Sequence, residues 1–98
     1  MEKDTFTVED MKTIIQQEEL DEYVKLVNNP NELRERYSAC IKKIGDTGYY
    51  RLYTLNERGI MAHMLFRSEA QAYANLVILM RKVKEEWEKT GHKPHQTH

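Results

Sequence analysis

Leu76, Val77, Ile78, Leu79 and Met80 form an unbroken apolar run inside a segment, residues 68–90, that otherwise has the composition of one long helix. Successive helical residues are about 100° apart, so the run points in every direction around the axis. A helix that is apolar on all sides must be covered on all sides. In a chain of 98 residues a second copy is the nearest source of that cover. The sequence therefore predicts a homodimer or higher oligomer, with Leu76, Val77, Ile78, Leu79, Met80, Val83 and Trp87 at the interface.

Upstream, Thr7 offers an N-cap hydroxyl and Glu9 and Asp10 acidify a first turn, so a helix starts near Val8 with Met11, Ile14 and Ile15 on its apolar face. Leu20, Tyr23, Val24 and Val27 keep helical spacing but lie roughly opposite those three. A break between Gln16 and Glu19, giving two short helices, reconciles them. Asn28, Asn29 and Pro30 stop and restart the chain. Leu33, Tyr37, Cys40, Ile41 and Ile44 then recur at i, i+4, i+7, i+8 and i+11, the stripe of a third helix over residues 30–44 closed by Gly45.

Asp46, Thr47 and Gly48 are turn residues, and residues 49–55 are aromatic, β-branched or leucine at nearly every position, as a strand prefers. Asn56 to Gly59 has the pattern of a type I turn closed by a glycine bulge, which makes residues 60–66 the return strand of a hairpin. Ser68 and Gln71 form a capping box that opens the long helix. The expected fold is α+β and mainly helical: three short N-terminal helices, one hairpin and one long C-terminal helix. It would be a single globular domain over residues 1–91 with a disordered tail over 92–98. By analogy of architecture alone, the element order is that of a winged-helix domain with an appended dimerisation helix, which would set residues 30–44 in a DNA major groove.

The net charge of −1 hides an asymmetry. Residues 1–33 carry three lysines against nine acidic residues, and residues 34–98 carry twelve basic against seven acidic. The start of the chain lacks the basic and apolar blocks of a secretory signal, and no stretch approaches membrane-spanning length. Cys40 is the only cysteine, so there is no internal disulfide. These features predict a cytoplasmic protein without membrane contact.

Catalytic chemistry has no visible place in the sequence. Cys40 with His63 would be the minimum for a thiol nucleophile and its base, but Cys40 lies on an apolar stripe, where a thiol behaves as a small hydrophobe. His92, His95 and His98 are possible imidazole ligands for a transition metal that nothing holds in line, and no phosphate loop or hydrolase motif occurs. The expectation is a non-enzymatic binding protein with no cofactor and no metal.

Three partners suit the remaining residues. Arg36, Lys42, Lys43, Tyr50, Arg51, Tyr53, Arg58 and Arg67 combine guanidinium and ammonium groups for phosphates with aromatic rings for bases, which predicts a small dimeric nucleic-acid-binding regulator. The plain alternative is that the tyrosines pack with their rings and wet their hydroxyls, as tyrosine does in strands. Glu18, Glu19, Asp21 and Glu22, with Tyr23 as an anchor, would instead let the chain occupy a basic surface on a larger host protein, as small phage and mobile-element inhibitors do. A third reading is an oligomer that sequesters a nucleotide between Tyr50 or Tyr53 and Arg51 or Arg67.

Overall fold

The computed structural model describes residues 7–91; the expected tail and its three histidines lie outside them. Thr7 caps α1 (Val8–Gln17) reciprocally: its hydroxyl accepts from the Asp10 amide at 3.1 Å, and the Asp10 carboxylate accepts from the Thr7 amide at 3.0 Å. Glu19, left-handed at φ 55°, ends the helical path. The second expected helix is only a 3₁₀ turn, Leu20–Glu22. Leu20, Tyr23 and Val24 are all buried, and the chain then extends into β1 (Lys25–Leu26). The apolar spacing of this stretch thus serves a tight turn and a strand entry.

Residues 30–44 overturn the third helix. They form a 3₁₀ turn, Pro30–Glu32, and then the strand β2 (Ser38–Lys43). Tyr37 sits at φ 56°, a left-handed conformation unfavourable for continuing a helix. The physical reason lies in the burial of β2 on both faces. Ala39 packs in the helix-side core, while Cys40 packs with Leu33, Leu55 and Val27 on the other side. A strand covered on both faces loses its polar alternation, and a short apolar run of that kind cannot be told from a helix by periodicity.

The hairpin forms as expected, with β3 (Tyr50–Leu55) and β4 (Met61–Phe66). Asn56 builds the turn: its Oδ1 accepts from the amides of Arg58 at 2.8 Å and Ile60 at 3.0 Å, and Gly59 takes φ 74°. The four strands make a mixed sheet in the order β1-β2-β3-β4, with β1 parallel to β2 and the other pairs antiparallel. The fold is α+β with two α-helices and this sheet among the described residues, so neither the mainly helical composition nor the winged-helix order holds.

α2 (Glu69–Glu88) starts at Ser68, whose hydroxyl accepts from the Gln71 amide at 3.1 Å. Leu76, Val77, Met80 and Val83 are buried in one core with Met11 and Ile15 of α1 and Ala39 and Leu52 of the sheet. Leu79 and Trp87 are half-buried, and Trp87 meets Tyr37 edge to face at 5.8 Å. Of the five-residue run only Ile78, 63% exposed, faces water. The sheet and α1 together supply, within one chain, most of the cover that the sequence predicts from a second copy. No described helix is long and apolar enough to cross a membrane.

Candidate functional site

The strand register sorts the candidate residues onto two faces. Lys42, Arg51 and Leu65 form one row across the sheet, and Cys40, Tyr53 and His63 the next. These rows lie on the face away from the helices. Lys43, Tyr50 and Phe66 form a row on the helix side, where Phe66 packs against the core. Tyr50 and Tyr53 therefore point to opposite sides and cannot share a ligand on one sheet face.

The loop carrying Leu33 covers the outer face over β1, β2 and the Leu55 end of β3, where Cys40 and Leu55 are buried and the half-buried Tyr53 packs against them. Beyond it the face is open. There the Arg51 guanidinium carbon lies 6.0 Å from the ring centre of Tyr53, two residues further along β3, and the His63 ring, opposite on β4, lies 6.2 Å from the same ring. Arg51 Nε is buried without a hydrogen-bond partner, although a buried donor left unpaired ordinarily costs about 1–3 kcal/mol. Lys42, exposed beside Arg51, donates to Asn29 Oδ1 at 3.0 Å.

The other basic candidates are dispersed. Arg36 is exposed in the loop before β2, Arg58 lies in the hairpin turn and Arg67 follows β4. Arg58 and Arg67 stand at opposite ends of a six-residue strand, about 20 Å apart at the rise of a strand. Arg67 borders a shallow recess with Thr47, Gly48 and Tyr49. His63 joins the site although its sequence setting suggested a structural histidine. The signal was available: with the turn fixed at Asn56 and Gly59, counting outward pairs Tyr53 with His63.

The acidic group is partly committed within the fold. Glu18 accepts a bidentate bond from Arg81, with Nε at 3.0 Å from Oε1, and Lys84 donates to the Glu18 carbonyl at 3.0 Å. The Arg81 hydrogen bond holds the Glu18 carboxyl below its ordinary range despite an opposing desolvation. Tyr23 is buried under the Lys84 ammonium, 6.0 Å from its ring, so it is no surface anchor. Glu19 and Asp21 remain exposed.

Cys40 and His63 lie two strands apart, with Tyr53 between them, about 10 Å at sheet spacing. Burial pushes the thiol up from its ordinary value. The two residues do not form a nucleophile and base. A cavity of about 250 Å³ between α2 and the end of β3 is lined by Tyr37, Leu79, Glu57, Glu86 and Lys82 among others; with two carboxylates to one ammonium, it does not suit an anionic nucleotide. Among the described residues no group of three or more His, Cys, Asp or Glu side chains is placed to hold a metal. Comparison with protein-family models, with curated proteins and with solved structures gives no match.

Proposed function

We propose that this chain is a non-enzymatic, cytoplasmic nucleic-acid-binding protein that takes single strands on the open face of its sheet. The observation that carries the reading is the Tyr53 ring on that face with Arg51, two residues back on β3, and His63, opposite on β4, at 6.0 and 6.2 Å from it. Unpaired bases offer π faces that stack on aromatic rings, and guanidinium groups hold the phosphates between them. A duplex hides those base faces, and without a helix over residues 30–44 the chain has lost its expected major-groove reader.

Charge favours the sheet layer as a whole, with Lys42 and Arg51 on the open face itself. Residues 25–67, which build the sheet and its loops, carry eight basic and four acidic side chains, whereas residues 7–24 carry one lysine and six acids. The sheet layer is the basic one. A strand laid across it meets attraction there and repulsion from the α1 side.

Fluorescence anisotropy with mixed-sequence single-stranded and duplex oligonucleotides of RNA and DNA tests the reading. Single strands should bind more tightly than duplexes. Log affinity should fall with log salt at a slope of about −0.7 for each phosphate neutralised, and Tyr53→Ala with Arg51→Ala should abolish most of the binding. A salt-independent signal, or one that survives both substitutions, rejects the proposal.

A further inference from the structure

The two edges of the sheet are built differently. β1 is two residues long and carries Lys25, paired with Glu35 at 3.0 Å, and short charged edges resist strand addition. β4 is six residues long, Met61–Phe66, and contains no Lys, Arg, Asp, Glu or Pro. Its side chains are exposed on both faces of the sheet: Met61 (47%) and Leu65 (52%) on the outer face, Met64 (51%) on the helix side, with Ile60 (57%) just before it. An edge of this kind, left wet, invites another strand.

We infer that β4 pairs antiparallel with β4 of a second copy, joining two sheets into one of eight strands. The self-complementarity of the edge selects the partner. The Asn56 amide bonds the Ile60 carbonyl at 3.2 Å, so by the alternation of an antiparallel ladder residues 60, 62, 64 and 66 turn their backbone groups toward β3. Met61, His63 and Leu65 turn theirs outward. A twofold axis perpendicular to the sheet keeps each face on its own side, so outward residues meet outward residues of the same face. Centred on His63, that axis sets Met61 against Leu65, Ala62 against Met64 and Ile60 against Phe66 of the second copy. Every cross-strand pair is then apolar except His63 with itself. Shifting the register by one step in each strand toward the C-terminus sets Met61 against Arg67 instead.

The size is that of a weak dimer. The half-exposed side chains of this edge, with Ala62 and His63, offer at most on the order of 500 Å² per copy, so the interface falls below the roughly 1,000 Å² in total of a stable specific one and the association is concentration-dependent. The pairing stands whether or not nucleic acid is the ligand. If it is, the outer faces become continuous and the two Tyr53–His63 pairs line up across the axis.

Sedimentation of the full chain from about 1 to 200 μM, which brackets the affinity expected of so small an interface, should show a monomer–dimer equilibrium. Leu65→Lys and Met61→Lys, confirmed folded by circular dichroism, should each weaken it at least tenfold, and Ile78→Lys should not. Under mild oxidation His63→Cys should give a covalent dimer and Met64→Cys should not, Cys40 being buried. A monomer at all concentrations overturns the inference. So does a dimer that Ile78→Lys dissolves and the two β4 lysines leave intact, or a Met64→Cys cross-link that outpaces His63→Cys. Oligonucleotide binding by a strict monomer would leave the functional proposal standing and remove this one.

Discussion

Arg81 closes a two-pronged hydrogen bond on Glu18 across 63 positions of sequence, tying the end of α1 to α2. Both side chains keep substantial exposure, so the pair is worth about 0.5–1 kcal/mol as a surface salt bridge of good geometry. Glu18→Gln should lower Tm by about 2–5 °C at neutral pH. The folded carboxyl sits below its ordinary value of 4.5, so this stabilisation is complete above that value and is lost as pH falls through the lower folded value. Thermal melts of the two proteins should converge in that acidic window.

Within the five-residue run of α2, stability should depend on which side of the helix is cut. Leu76 is fully buried, and Leu76→Ala should cost about 2–5 kcal/mol. Ile78→Ala should fall within about 0.5 kcal/mol of the wild type. Urea unfolding measures both.

Asn56 satisfies two turn amides with one oxygen. Asn56→Ala should therefore destabilise the hairpin by about 1–2 kcal/mol, and exchange of the Arg58 and Ile60 amides should accelerate more than that of amides in α2. Hydrogen exchange read by NMR reports it directly.

Cys40 is buried, and burial raises the thiol from its ordinary value. Only the thiolate is nucleophilic, so a thiol reagent should label the native protein slowly at pH 7.5 and at the full rate in denaturant. Fast labelling of the native chain would place Cys40 outside the core.

Single-charge changes on the open face should act through phosphate contacts. Lys42→Ala and Arg51→Ala should each reduce the salt slope of single-strand binding by about 0.7, whereas Arg58→Ala, in the turn, should change it less. Titrations at several salt concentrations separate these outcomes.

The hairpin, the capping residues Thr7 and Ser68 and the long last helix were legible in the sequence because each rests on local chemistry: a hydroxyl aligned with an N–H, an asparagine and a glycine closing a turn. β2 was not, because its apolar spacing reflects cover on both faces, from the distant helices on one side and from Leu33 and Leu55 on the other. The same confusion affected Leu76 to Met80, whose cover comes from elements far apart in the chain. For the candidate site, Arg51 and Tyr53 were legible as residue types on one strand. His63 required the register, and the separation of Tyr50 from Tyr53 required knowing which face the helices occupy.

β1 enters the sheet through two parallel pairings, with the amides of Lys25 and Val27 bonded to the carbonyls of Tyr37 and Ala39, each at 2.8 Å. Residues 38–88 are joined by tight turns, whereas the parallel β1–β2 pair is closed over residues 27–37, a longer loop with a larger closure entropy, so residues 7–26 should be the first to detach under stress, which hydrogen exchange would read. When they detach, the core shared by Met11 and Ile15 with the buried side chains of α2 is opened to water. Partial opening of the N-terminal segment thus adds a second wet apolar surface to the one at the β4 edge, and a tether that holds α1 in place should remove it.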